Sequence, residues 1–86
     1  MTQNVARLDE VMLAAPVIPV LVVDDPARAV PMAKALVAGG LPAIEITLRT
    51  PRALEAIRAV AAEVEGAMVG AGTVLDDAQY KAAVDA

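Results

Sequence analysis

The stretch AIEITLR, residues 43–49, alternates apolar and polar side chains, and this alternation decides the fold. Side chains of a β-strand point to opposite faces in turn, so the stretch has an aliphatic face and a polar face. The aliphatic face carries Ile44, Ile46 and Leu48. The polar face carries Glu45, Thr47 and Arg49. A carboxylate, a hydroxyl and a guanidinium on one face of a strand need either water or a ligand.

The rest of the chain favours a parallel sheet. VIPVLVV (Val17–Val23) and AMVGAGTV (Ala67–Val74) are predicted strands, and the three strand starts lie 26 and 24 residues apart, with a helical pattern after each strand. Alternating strands and helices predict right-handed crossovers and a parallel sheet. Parallel sheets are usually covered on both faces. The polar face of residues 43–49 therefore predicts an enclosed ligand site.

Capping residues mark four predicted helices, the first of them an amphipathic lead-in helix over roughly residues 4–14. The expected starts and stops after it are Pro16, Asp24 and Asp25 with Pro26, Gly39 with Gly40, Thr50 with Pro51, Gly66, and Asp76. Pro31 should kink the second helix or delay its regular start. Pro19, inside the first strand, predicts a bulge or a sheet edge.

Two architectures contain repeated strand–helix units, the open doubly wound sheet and the closed (β/α)8 TIM barrel. The barrel is favoured because the polar face of residues 43–49 needs a shared interior, and barrels have a polar mouth at the carboxyl ends of their strands. A complete barrel takes about 200 residues or more. We therefore expect residues 1–86 to form an α/β segment of a single, incomplete barrel domain, with an N-terminal helix and about three of eight units.

Composition excludes several classes of protein. A net charge of −4 without a basic cluster, and a single aromatic residue, Tyr80, argue against nucleic-acid binding. The sequence has neither Cys nor His, so we expect no disulfide, and the commonest metal ligand and general base are missing; a reducing cytoplasm is the expected compartment. No apolar run reaches the roughly 20 residues of a membrane span. A small anionic metabolite is the ligand that a well-placed Arg would favour.

Gly70 and Gly72 invite comparison with a dinucleotide-binding loop. The third glycine of G-x-G-x-x-G would fall at Leu75, so the motif fails. Two interpretations stay open. The glycines permit close packing at a barrel strand, or they leave room for a ligand beside Thr73.

Glu45 and Arg49 require separate partners, because four residues along a strand place them about 13 Å apart. A ligand carboxylate suits Arg49, and a catalytic or structural cation suits Glu45. Lys34 and Lys81 fall in predicted helices, where solvation is the simpler interpretation. The Asp residues at positions 24, 25, 76 and 77 are better explained as helix caps than as metal ligands.

Four stretches together resemble the N-terminal part of the 2-keto-3-deoxy-6-phosphogluconate (KDPG) and 4-hydroxy-2-oxoglutarate (KHG) aldolase family. They are VIPVLVV, AVPMAKALVAGG, IEITLRT and VGAGTVL. The resemblance implies a TIM barrel, usually a homotrimer, working as a class I aldolase through a lysine Schiff base without a metal. It also implies cleavage of KDPG to pyruvate and glyceraldehyde 3-phosphate, or of 4-hydroxy-2-oxoglutarate to pyruvate and glyoxylate.

The same resemblance suggests roles for three residues. Glu45 matches the family's proton-shuttling residue, Arg49 the residue that holds the keto-acid carboxylate, and Thr73 a second contact to the pyruvate portion. The Schiff-base lysine and the phosphate-binding glycines of the family lie on later strands. Since Lys34 and Lys81 sit in predicted helices and cannot replace that lysine, we expect this chain alone to be inactive.

Three classes of function follow. The first is a lyase whose catalytic lysine lies outside residues 1–86. The second is a structural or assembly fragment in which the polar residues have no catalytic role. The third is a small binding module for a keto acid or a phosphate, which the lack of a phosphate loop makes less favoured.

Overall fold

A computed structural model describes residues 4–86 of the chain. Helices and strands alternate through it. In chain order they are α1 (Val5–Ala14), β1 (Val20–Leu21), α2 (Pro26–Ala38), β2 (Ala43–Thr47), α3 (Ala53–Glu63), β3 (Met68–Gly72) and α4 (Asp77–Asp85). The predicted α/β organisation, with a lead-in helix and three strand–helix units, is confirmed.

The three strands form one parallel sheet in the order β1-β2-β3. The central strand β2 pairs Glu45 with Val20 of β1 on one side and with Gly70 of β3 on the other. Two residues further along both strands, Thr47 pairs with Gly72. Because parallel strands carry their carboxyl ends to the same edge, residues just after β2 and β3 meet at that edge of the sheet.

The core lies between the sheet and helices α2 and α3. Ile44 and Ile46 are 2% and 0% exposed and pack against small and aliphatic side chains of the two helices. The helix residues buried in this core are Ala29, Ala33, Ala53, Ala56, Ile57 and Val60. Alanines on the facing helices allow the helices to lie close to the strand, so the isoleucines fill the space between the two layers.

Helix ends follow the capping signals closely. The Asp25 carboxylate accepts a hydrogen bond from the Ala27 amide at 3.0 Å, and the Asp76 carboxylate accepts one from the Gln79 amide at 2.7 Å. At the end of α2 the Gly40 amide donates to the Val37 carbonyl at 3.0 Å, and the next amide bonds back to residue 36. Gly40 has a φ of 91°, so this is a Schellman motif that favours glycine.

Several details differ from the sequence prediction, among them the extent of β3, which comprises Met68–Gly72 in place of the expected residues 67–74. β1 was expected over residues 17–23 and comprises only Val20–Leu21. It starts late because Pro19 has no amide to donate to the ladder. The Pro19 carbonyl accepts a hydrogen bond from the Glu45 amide. Pro31 lies inside α2, which still begins at Pro26, so the expected delay is wrong. Thr50 does not cap α3, whose first residue is Ala53.

Exposed apolar side chains lie on the face of the sheet opposite α2 and α3, and on the two outer helices α1 and α4. α1 and α4 have no buried residue. Val20 and Val22 are 56% and 55% exposed along the β1 edge. No helix within residues 4–86 has the length and apolar character that a membrane crossing requires.

This open surface predicts self-association of the 86-residue chain. Exposed strand edges and apolar faces pair with other chains, and a chain of this size buries only about 60% of its surface. We expect sedimentation velocity to show species heavier than the 8.8 kDa monomer. A monomeric species that melts in one cooperative transition would contradict the prediction.

Candidate functional site

The carboxyl ends of β2 and β3 are joined by one further ladder hydrogen bond. The Leu48 amide donates to the Gly72 carbonyl at 2.8 Å, one residue beyond the end of β2. This bond fixes the start of the segment that carries Arg49 against the start of the segment that carries Thr73. The two segments therefore leave the sheet side by side.

Arg49 and Thr73 are in direct contact across this edge. The Arg49 Nε atom donates a hydrogen bond to the Thr73 Oγ1 atom at 3.1 Å. Arg49 lies in a turn after β2, so the prediction that the strand continues to residue 49 is wrong. Because Nε is occupied by Thr73, the two terminal nitrogens of the guanidinium are left to face a ligand as a planar pair of donors.

Thr73 has a left-handed backbone conformation, with a φ of 55°. It is the only non-glycine residue among residues 4–86 with a positive φ. A β-branched residue is unfavourable in this region, at a cost of about 1–3 kcal/mol. The strained backbone aims the Thr73 hydroxyl at Arg49, and such strain is concentrated in active sites and ligand-binding segments.

The Glu45 side chain lies on the face of the sheet opposite Ile44 and Ile46, as alternation predicted, and it is half-buried. Its carboxyl group lies over Gly72. A methyl group built on Gly72 would come within 2.5 Å of the Glu45 Cδ atom. Since Glu45 pairs with Gly70 and not with Gly72, its side chain leans two residues along the sheet, toward the edge with Arg49 and Thr73.

Two threonine hydroxyls attach β1 to the same edge. Thr47, only 1% exposed, donates through its hydroxyl to the Leu21 carbonyl at 3.3 Å. Thr50 donates to the Val23 carbonyl at 2.6 Å. Sequence reasoning placed Thr47 on the polar face and Thr50 at a helix cap. It did not predict that the Thr47 hydroxyl would bond the backbone of β1 and the Thr50 hydroxyl the backbone of the segment that follows β1. Spacing along the chain carries no signal for such a contact.

The charged groups of the site are not paired with each other. The ion pairs found within residues 4–86 are Arg7–Glu10, Arg52–Glu55 and Lys81–Asp77, all on exposed helix surfaces. Glu45 and Arg49 take part in none of them, and the partner predicted for each stays a prediction. The carboxylate and the guanidinium are thus both available to a third group.

Away from the site, the ion pair between Arg52 and Glu55 shifts the pKa values of both side chains. The hydrogen bond from Arg52 holds the pKa of the Glu55 carboxyl below its ordinary value, and the same bond raises the pKa of Arg52. Both side chains are exposed. The pair supports the first turn of α3, where an acidic side chain is favourable.

One groove of the described chain contains a candidate site residue, and a larger groove contains none. A cleft of about 290 Å³ between α1 and the sheet is lined by Glu45, Gly70 and Arg7, among other residues. A larger groove of about 400 Å³ lies at the junction of β1 and α2 and contains none of the three candidate site residues. Asp25 in that groove is occupied as a helix cap. The first cleft contains Glu45 but neither Arg49 nor Thr73, which lie beyond it at the carboxyl edge of the sheet.

Neither lysine lies at the candidate site, and the acidic residues of the described chain do not form a metal-binding group. The sequence has two lysines, Lys34 on α2 and Lys81 on α4, and both are exposed as predicted. No three Asp or Glu side chains of residues 4–86 come together as a metal-binding group. Asp25 and Asp76 are helix caps, as expected, and Asp77 pairs with Lys81.

The comparison with known sequences gives consistent results. Residues 8–86 match the family model for KDPG and KHG aldolase. A 2-dehydro-3-deoxy-phosphogluconate aldolase of Zymomonas mobilis is 64% identical over 69 residues, covering 80% of this chain and 33% of the relative. A KHG/KDPG aldolase of Escherichia coli is 53% identical over 78 residues, covering 91% and 37%. The chain thus spans about a third of the length of the curated relatives it matches.

Solved structures agree in fold. The 2-keto-3-deoxy-6-phosphogluconate aldolase of Zymomonas mobilis, solved with 3-phosphoglycerate, superposes with a TM-score of 0.84 at 58% identity, over 91% of this chain and 37% of that one. A KDPG aldolase of Legionella pneumophila, with pyruvate captured as a covalent carbinolamine, gives 0.82 at 41% identity, over 87% and 36%. These relatives are TIM barrels, which decides between the two architectures that the three parallel units allowed. Both the family match over residues 8–86 and the superposition therefore place this chain in the KDPG and KHG aldolase family.

Proposed function

We propose that residues 1–86 are the N-terminal segment of a single TIM-barrel domain, and that the complete barrel is a class I aldolase. Its substrate would be 2-keto-3-deoxy-6-phosphogluconate, cleaved to pyruvate and glyceraldehyde 3-phosphate, with 4-hydroxy-2-oxoglutarate as a second substrate. The observation that carries the proposal is the meeting of Arg49, Thr73 and the leaning Glu45 side chain at the carboxyl edge of β2 and β3. Barrel enzymes carry their active sites at this edge.

In this proposal Arg49 and Thr73 bind the keto acid. The free terminal nitrogens of Arg49 donate two parallel hydrogen bonds to the substrate carboxylate, a geometry that lysine cannot provide. The Thr73 hydroxyl accepts from Arg49 Nε at 3.1 Å, and its own hydrogen is then available to the pyruvate portion. The contact between the two side chains fixes the guanidinium plane before the substrate arrives.

Glu45 serves as the proton carrier. A lysine amine that attacks the keto carbonyl forms a carbinolamine, and loss of water from it requires a proton at the departing hydroxyl. The half-buried Glu45 carboxylate, free of ion pairs within residues 4–86, is the group on this segment that can supply and recover that proton. The amine itself must come from another part of the barrel, because Lys34 and Lys81 lie on the exposed surfaces of helices.

The remaining expectations follow the family. We propose a homotrimer of complete barrels in the cytoplasm that needs no metal or other cofactor and acts on a small keto acid. The exposed apolar side chains of α1, such as Leu13 at 85% exposure, supply surface that further segments or subunits would cover.

Two other functions are compatible with particular observations. The exposed sheet edges and outer helices favour an assembly role for the chain as it stands. The Arg49–Thr73 pair favours a small keto-acid binding module. Titration of the chain with pyruvate separates these two, because the assembly role predicts no saturable binding.

The chain alone should form no covalent adduct with pyruvate. A Schiff base requires an amine facing the bound keto carbon, and both lysines of the chain point into solvent. We expect intact mass spectrometry after incubation with pyruvate and borohydride to show only the unmodified chain. An adduct on Lys34 or Lys81 would overturn this prediction.

The matched positive control is a chimeric barrel, defined as residues 1–86 joined to the part of the Zymomonas mobilis relative that follows the matched segment. This chimeric barrel should give a pyruvate adduct on borohydride reduction. Its failure to form one while folded would count against the proposed function.

In the chimeric barrel, Glu45→Gln should lower kcat and change KM little, since it removes a proton carrier and keeps the side-chain volume. General acid–base groups contribute roughly 10²–10⁴-fold to rate, and we expect a loss in that range when pyruvate release is measured. Glu63→Gln, on the exposed end of α3, is the matched control and should leave kcat unchanged. Equal effects of the two substitutions would remove Glu45 from the mechanism.

Arg49→Lys in the chimeric barrel should weaken substrate binding. The lysine keeps the charge but loses the planar fork and the bond to Thr73, and a charged hydrogen bond is worth about 1.5–3 kcal/mol. We expect KM for the keto acid to rise roughly tenfold or more, because about 1.4 kcal/mol corresponds to a factor of ten. Arg58→Lys, on the exposed face of α3, serves as the control. An unchanged KM in Arg49→Lys would show that the carboxylate binds elsewhere.

A further inference from the structure

Gly72 differs from the other glycines of the chain in the atoms that a side chain at its position would meet. A methyl group built there would lie 2.5 Å from the Cδ atom and 3.0 Å from the Cγ atom of Glu45, and closer still to the Oε2 atom. Carbon atoms do not approach each other this closely without one of them moving. The space above Gly72 is therefore filled by the end of the Glu45 side chain.

Gly70 provides the contrast. It lies two residues earlier on the same face of β3, pairs directly with Glu45, and a methyl group built on it would meet nothing within 4 Å. Both glycines have a backbone that other residues adopt, unlike Gly40 and Gly66, which have positive φ values. Conformational freedom does not explain why position 72 needs a glycine. The position of the Glu45 carboxyl group does.

The direction of the Glu45 side chain also depends on this contact. With a bare backbone at Gly72, the carboxyl group can lie flat on β3 and reach the edge where Arg49 and Thr73 meet. A side chain at position 72 would push the carboxyl group off the sheet. The backbone of Gly72 would stay in place, because its carbonyl accepts from the Leu48 amide at 2.8 Å and the glutamate is the more flexible partner.

We infer that Gly72 is a positioning residue that holds the Glu45 carboxylate at the reacting end of the sheet by the absence of its own side chain. The inference rests on the proposed function, in which Glu45 carries the proton. It adds a steric requirement at a residue to which the proposed function assigns no contact with the substrate. It also resolves the two interpretations of the glycine pair, because the room at position 72 belongs to Glu45 and only Gly70 borders open space.

The test compares Gly72→Ala with Gly70→Ala in the chimeric barrel, where each adds one methyl group to the same face of β3. Displacing a general acid–base group that contributes roughly 10²–10⁴-fold should lower kcat in Gly72→Ala by about tenfold or more, with KM changed by less than about twofold. Gly70→Ala should retain the parent kcat. Equal kcat values for the two variants would overturn the inference.

A double-mutant cycle separates positioning from general damage. In a Glu45→Gln background the carboxylate is already gone, so Gly72→Ala should lower kcat no further. A loss of the same size in both backgrounds, or a Gly72→Ala barrel that fails to fold while Gly70→Ala folds, would overturn the inference, because the methyl group would then act on the backbone. Borohydride trapping of pyruvate by the parent chimeric barrel tests the proposed function separately, and its failure is distinguishable from equal behaviour of the two alanine variants.

Discussion

Packing of Ile44 and Ile46 between the sheet and its two helices is the constraint on which the rest of the structure depends. The isoleucines are 2% and 0% exposed, and β2 is the central strand, hydrogen-bonded on both sides. A strand fixed by its buried face has no freedom to rotate or slip, since a shift by one residue would expose both isoleucines. Glu45 is therefore directed to the opposite face by the hydrophobic packing of its neighbours. The position of a polar side chain is here determined by apolar ones.

The carboxyl edge of the sheet converts that fixed strand into a defined site. The ladder bond from Leu48 to Gly72 and the hydroxyl bond from Thr50 to Val23 tie the segments after the strands to one another. This support holds Thr73 in a left-handed conformation that costs about 1–3 kcal/mol. The favourable packing of the core offsets that cost, and the resulting geometry brings the Thr73 hydroxyl to Arg49 at 3.1 Å.

Sequence reasoning succeeded where one residue type decides a local outcome. Strand alternation separated Glu45 from the isoleucines, and the caps at Asp25 and Asp76 were read correctly because a short carboxylate side chain is the preferred acceptor for free helix amides. It overextended β1 to residues 17–23 because apolar runs continue past the point where Pro19 limits the hydrogen-bond ladder. It also kept Arg49 in a strand that has already turned.

The contact between Glu45 and Gly72 lay beyond any such reasoning. It depends on the register of β2 and β3, whose paired residues are 25 apart in the chain (Glu45 with Gly70), and on the direction in which the Glu45 side chain leans. Local sequence patterns determine neither of these. The sequence does not distinguish Gly70 from Gly72. In the structure, a methyl group built on Gly72 would meet the Glu45 side chain, whereas one built on Gly70 would meet nothing within 4 Å.

The proposed function divides the active site between this segment and the remainder of the barrel. A carboxylate-binding fork and a proton carrier can both be built on two adjacent strands, because their side chains need to meet only at one edge. An attacking amine must approach the same carbon from a direction that these strands do not occupy, since Glu45 and Thr47 already cover the near face of the sheet. Under the proposed function the amine therefore comes from outside residues 1–86, because Lys34 on α2 and Lys81 on α4 are exposed helix residues. Strand register and ladder hydrogen bonds therefore hold the three candidate side chains within residues 4–86, while the attacking amine of the proposed function has no counterpart at this edge of the described sheet.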